Sequence, residues 1–175
     1  MAGALEDLWV LQAAEAIADD VWSATVGWDQ YAKDVMGQQL CRAADSIGAN
    51  IAEAFGRFHY GEKIRFLYYA RGSLFETKYW LNRAVSRGLM PEDLNKDYAA
   101  RLNAVGRQLN LFVNHLKVQQ RSKKQATNTV REPAEQYSAG QNPQLGDFIS
   151  PQELGWLSRQ TSPDPQSPDP SQDSK

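Results

Sequence analysis

The sequence predicts an all-α protein: an antiparallel up-down-up-down four-helix bundle followed by a largely disordered C-terminal tail. Three observations carry this. Between residue 4 and about residue 120, apolar side chains recur at three- and four-residue steps in four blocks, with no alternating strand pattern. The breaks between blocks are a few residues long and marked by Gly27, Gly61, Gly88 and Pro91, so consecutive helices must be antiparallel neighbours. Seven of the eight prolines fall after Ser122 among Gln, Ser, Asn and Thr, a composition that buries too little surface to offset the entropy of ordering.

The first block runs from about Ala4 to Thr25, with Leu5, Leu8, Trp9, Gln12, Ala13, Ala16, Ile17 and Val21 along one side. Gly27 interrupts it, and Asp29 is placed to cap the second block, which extends to about Phe58. Gly37 lies inside that block and marks a bend or local break, since a mid-helix glycine costs about 1 kcal/mol relative to alanine. The third block follows Gly61 and reaches Arg87, burying Ile64, Leu67, Ala70, Leu74, Thr77, Leu81 and Val85; Gly88 supplies its stop. Pro91 opens the fourth block in its first turn, with Glu92 and Asp93 at the positive end of the helix dipole. Leu94, Tyr98, Leu102, Val105, Leu109, Phe112, Val113 and Leu116 then form the cleanest apolar stripe in the chain. Residues 1–121 are thus expected as the bundle and residues 122–175 as the tail.

The tail holds one island. Ser150 and Glu153 have capping-box spacing, Pro151 sits at a first helical position, and Ile149 and Leu154 have staple spacing. A short helix is expected at 149–159, presenting Leu154, Trp156 and Leu157 either to the bundle or to a partner groove.

The second block separates into three rows when wound as a helix. Ala44, Gly48, Ala52 and Gly56 form a ridge nearly without side chains; Ile47, Ile51 and Phe55 form an apolar row; Arg42, Ser46, Asn50, Glu53 and Arg57 form a polar row. Such a helix packs backbone-close to a neighbour while keeping charges near the seam. The small ridge is expected against the Gly72 region of the third helix. Arg42, Gly48, Asn50, Glu53, Gly56, Gly72 and Glu76 are therefore the expected structural and interface residues, with Glu53 and Glu76 in ion pairs to Arg42, Arg57 or Lys78.

Chemistry-bearing patterns are scarce. The single cysteine, Cys41, excludes an internal disulfide and any multi-cysteine zinc site. No glycine spacing matches a phosphate loop. His59 and His115 lie on different blocks, and neither Glu53 nor Glu76 has the histidine three residues on that di-metal bundles use. No catalytic residue, metal or cofactor is expected. Glu6 and Asp7, without an early base, do not make a secretory signal, and no apolar run approaches the ~20 residues of a membrane span. The reading is a cytoplasmic protein.

Charge total says little: net −2, with mean hydropathy −0.58. Charge placement says more. Six acids and no Lys or Arg occur through Gln30, whereas Arg57, Lys63, Arg65, Arg71, Lys78, Arg83 and Arg87 face only Glu62 and Glu76 in the third block. Either acidic and basic helices of successive subunits meet head to tail, or the basic helix with Phe66, Tyr68, Tyr69, Tyr79 and Trp80 binds RNA or DNA through phosphates and stacking. The two readings are compatible.

The run Arg42-Ala43-Ala44, Ser46-Ile47, Ala49-Asn50-Ile51-Ala52-Glu53, Gly56-Arg57, Phe66-Leu67 and Gly72-Ser73-Leu74 with Glu76 resembles the four-helix-bundle proteins encoded in intervening sequences of bacterial large-subunit rRNA genes. The accessory variability proteins of diversity-generating retroelements are relatives of that family. The resemblance covers about residues 5–120. It implies a barrel-like homopentamer and a non-enzymatic role in nucleic-acid binding, in the retroelement relatives together with a reverse transcriptase. The chain departs from the family pattern at Ala54-Phe55, where glycine commonly follows the motif glutamate, and at the less basic Phe58-His59-Tyr60-Gly61. The functional expectation is an oligomeric, non-catalytic, nucleic-acid-binding accessory subunit; the alternative is a protein scaffold recruiting partners through its tail.

Overall fold

The computed structural model describes residue 5 and residues 8–129, with side chains as far as Gln125. Among the described residues there are four long helices and no strand. Helix α1 is Trp9–Val26. Helix α2 is one rod in three pieces, Gln30–Ala32, a π-helical turn Lys33–Gly37, and Gln38–Gly56. Helix α3 is Tyr60–Ser86 and α4 is Glu92–Thr129. The expected tail island, with Leu154, Trp156 and Leu157, lies outside the described residues.

Local chemistry sets the ends. The Asp29 carboxylate accepts the Ala32 amide at 2.9 Å, satisfying a donor that the first turn of α2 leaves open. Trp28, buried in the connection, lies 3.7 Å from where a β-carbon on Gly37 would stand. The bend expected at Gly37 is thus a π turn under the indole. Gly88 adopts φ +70°, and Leu89 N–H donates to the Ala84 carbonyl while Gly88 N–H donates to that of Val85. That is a Schellman ending, which requires the left-handed residue that glycine supplies without strain. Pro91 lies just before α4, its carbonyl accepting the Asn95 amide.

Antiparallel pairing of α3 and α4 is visible in three contacts: Lys78 with Asn103, Arg71 with Asn110, and Gly61 with Gln120. Each step down α3 matches an equal step up α4. Helix α1 touches α2 and α4, and α3 touches α2 and α4, so the α1–α2 and α3–α4 sides are opposite faces of the bundle. The core between them includes Ile47, Ile51, Leu67, Leu102 and Leu116, all without measurable exposure, and Phe55 stacks on Phe112 at 5.3 Å.

Four expectations need correction. Helix α1 starts at Trp9, and it buries Val10, Leu11, Ala14, Ile17, Ala18 and Val21, leaving Gln12 and Ala16 exposed. Gln12, Glu15, Asp19 and Ser23 share its exposed face, and Ala16 falls among them. Leu94, expected in the α4 stripe, is exposed. Helix α4 continues to Thr129, past the expected end at 121, because no Pro or Gly interrupts Ser122–Thr129. The small ridge of α2 faces α1 rather than α3: a β-carbon on Gly48 would meet Leu11 at 3.6 Å and Glu15 at 3.9 Å, whereas Gly72 is exposed with nothing within 4 Å.

Two stability measurements check this packing. Gly72→Ala should raise the unfolding free energy by about 0.5–1 kcal/mol in denaturant titration, since it removes a helix-interior glycine and meets no neighbour. Ile51→Ala should lower it by about 2–5 kcal/mol, the range for emptying a fully buried branched side chain.

Candidate nucleic-acid interface

Helix geometry decides which bases reach the surface. With Ile64, Leu67, Ala70, Leu74, Thr77 and Leu81 inward on α3, the positions between them must point out. Arg65, Tyr68, Tyr69, Arg71, Phe75 and Tyr79 are exposed accordingly. Lys63 shares the inward arc with Leu67 and Ala70 and is only 4% exposed, so it leaves the set of expected phosphate contacts.

The remaining bases do not form one patch. A helix of 27 residues is about 40 Å long, so its two ends are remote from each other. Arg57 and Arg65 lie at the first end, both near the Phe66 ring, at 4.6 and 5.9 Å from its centroid. Arg57 also pairs with Glu53 one turn back on α2. Arg71 and Lys78 occupy the middle, 5.8 and 5.6 Å from the Phe75 centroid, and donate to Asn110 and Asn103 of α4. Arg83 and Arg87 are at the far end, where Arg87 donates to the Met36 sulfur at 3.4 Å.

Helix α4 contributes bases not included in the expected set. Its register sets Lys117 beside Tyr68, with Nζ 5.5 Å from the ring centroid. Arg107 lines a groove of about 220 Å³ between α3 and α4, together with Arg71, Phe75, Lys78 and Asn103. Arg121, Lys123 and Lys124 follow on the exposed end of the helix. The available signal was an absence: no Asp or Glu occurs from Tyr98 through Gln125, a span holding six bases. Glu62 is half-buried and Glu76 exposed on α3, and Glu76 makes none of the expected ion pairs.

The opposite side has the opposite character. Between α1 and α2 lies a groove of about 260 Å³ whose floor includes Ala18, Ala44, Gly48 and Ala52 and whose rim carries Glu15, Asp19 and Asp45. Of the other expected interface residues, Arg42 and Gly56 are exposed, and the Asn50 amide donates to the Ser46 carbonyl of its own helix at 2.7 Å. Gly48 is thus the expected interface residue that enters a groove, and Glu53 is engaged by Arg57.

Electrostatic coupling between faces is concentrated where α1 meets α4. Arg101 bonds Asp20 at 2.6 Å and Asp97 at 3.4 Å. Burial alone would lower its pKa, but the bonds and charges of Asp20 and Asp97 outweigh that and raise it. The Tyr98 phenol beneath is pushed up by burial first and by the Asp20 charge second. Among the described residues, no three His, Cys, Asp or Glu side chains gather to hold a metal, and no helix is long and apolar enough to cross a membrane.

A family model described as 23S rRNA-intervening sequence protein matches residues 6–111. A crystal structure of a protein of unknown function from the S23 ribosomal protein family of Bacteroides thetaiotaomicron superposes with a TM-score of 0.54 at 22% identity. The alignment covers 59% of this chain and 97% of that one, and at that identity the likeness is one of fold. No curated protein matches the chain.

Proposed function

We propose that this chain, which belongs to the 23S rRNA-intervening sequence protein family, is a non-catalytic, self-associating subunit that holds RNA or DNA on its α3–α4 side. One observation carries the reading: bases from two helices converge on that side with few acids among them. Arg65 and Arg71 of α3 and Arg107, Lys117 and Arg121 of α4 line that side, with Arg71 and Arg107 in one groove and Lys117 over Tyr68. Cations arranged so are suited to displacing counterions from a phosphate backbone, the sequence-independent part of nucleic-acid affinity. Net charge does not oppose this, because attraction at contact distance follows local charge and is screened beyond about 8–10 Å.

Self-association is the second part of the proposal. The acid-rimmed groove between α1 and α2 lies on the face opposite the bases. Complementary charges on opposite faces favour a head-to-tail contact, which generates a ring when the rotation closes and a filament when it does not. Lys78 and Arg83 on the distal half of α3 are the bases we assign to that contact, leaving the end near Arg57 and Lys117 open. A homopentamer and a reverse-transcriptase partner, carried from the family resemblance, and a cytoplasmic setting, carried from the sequence, are parts of the same proposal.

Binding of a labelled RNA should weaken steeply between about 50 and about 200 mM salt, with a log–log slope that counts neutralised phosphates. The double charge reversal Arg65→Glu with Lys117→Glu should lower both the affinity and that slope. Salt-independent binding, or full affinity in the double variant, would remove the basis of the reading.

A further inference from the structure

The open end of the α3–α4 side carries more than charge. Phe58, in the connection between α2 and α3, is 56% exposed; Tyr68 and Tyr69 on the third turn of α3 are 42% and 51% exposed. Three large aromatic rings in water at one end of a bundle cost burial that the core could have supplied elsewhere. Each ring sits in a setting of cations or other rings. Lys117 stands over the Tyr68 ring at 5.5 Å. Phe66, half-buried between Arg57 and Arg65, meets Tyr69 edge-on at 5.6 Å. Phe58 meets His59 edge-on at 5.2 Å, with the Phe58 ring exposed.

From this we infer that the ligand of the α3–α4 side is a single strand with unpaired bases, RNA or DNA, which stacks on Phe58, Tyr68 and Tyr69 while Arg57, Arg65 and Lys117 hold its phosphates. The inference rests on the nucleic-acid reading above and narrows it. A duplex keeps its base faces stacked internally and offers a protein phosphates, sugars and groove edges. Cations alone would serve a duplex, and exposed rings would add nothing. A single strand exposes both the π-faces and the backbone, and sites for it combine a cationic track with aromatic platforms. Residues 57–69 and 117 supply both within one end of the bundle. Stacking accepts any base, so this site selects strandedness rather than sequence.

Two full-length variants test it, with fluorescence anisotropy of a labelled mixed-sequence RNA strand, its DNA counterpart, and each annealed to its complement. The wild type should bind single strands about tenfold or more tighter than duplexes at moderate salt, the effect of losing at least one stacked base. Phe58→Ala with Tyr68→Ala should erase that preference while leaving duplex affinity and the salt slope unchanged, because no charge is removed. Phe58→Tyr with Tyr68→Phe should retain it, since both rings survive. Equal affinity for single strand and duplex in the wild type would overturn the inference and leave the phosphate-binding reading standing. Absence of binding to any of the four probes would overturn both. A fall in oligomer mass for the double alanine variant, with single-strand affinity intact, would assign the rings to a contact between copies and likewise overturn it.

Discussion

Ile47, Ile51 and Phe55 of α2, Leu67, Leu74 and Leu81 of α3, and Leu102, Leu109 and Leu116 of α4 are all essentially removed from water. Their mutual burial is the interaction on which the remaining features depend. Each buried branched side chain contributes about 1.5–3 kcal/mol, whereas the exposed ion pairs on the surface contribute about 0–1 kcal/mol each. The stripes therefore fix how far every helix is rotated about its axis, and rotation fixes which charges share a face. Lys63 is buried and Arg65 is free for the same reason: one lies on the arc that Leu67 and Leu74 commit to the core.

Much of this was legible in the sequence because the relevant signals are local or periodic. The α3 and α4 stripes, the Asp29 cap and the Gly88 ending each depend on a handful of neighbouring residues. What failed to show was relational. The ridge of Ala44, Gly48 and Ala52 announces close packing, but nothing in those residues names the neighbour; the nearness of Leu11 and Glu15 to Gly48 makes it α1. In α1 the polar positions Gln12, Glu15, Asp19 and Ser23 mark the outer face, and Ala16 between them reads as apolar only by its type. Lys117 meets Tyr68 across 49 positions of sequence, so its place at the basic end follows from the antiparallel register of two helices and from no local pattern. The expected island around Trp156 lies outside the described residues, and the bundle's geometry bears on it in no direct way.

The distribution of charge has a structural logic of its own. Helix α1 carries acids and no base, α3 and α4 carry an excess of bases, and the Arg101–Asp20 pair ties α4 to α1. Held partly out of water, that pair restrains the α1–α4 seam, as the Phe55–Phe112 stack restrains the core. Apolar packing thus sets the shape of the bundle, and the Arg101–Asp20 bridge aligns its two differently charged sides.

Helix α4 reaches beyond its neighbours, and from Arg121 to Gln125 five consecutive residues are exposed. Five residues exceed a full turn, so this stretch has no buried face toward the core. Its persistence rests on backbone bonds and on helix-favouring residues. Amides in this stretch sit at the low end of the local-unfolding spectrum, while those around Leu116 share the fate of the whole bundle. Hydrogen exchange would therefore resolve α4 into two kinetic regimes along one uninterrupted helix. Any anion that engages the terminal lysines would alter the exchange of the outer regime first, making that end of the rod a reporter of occupancy independent of the core.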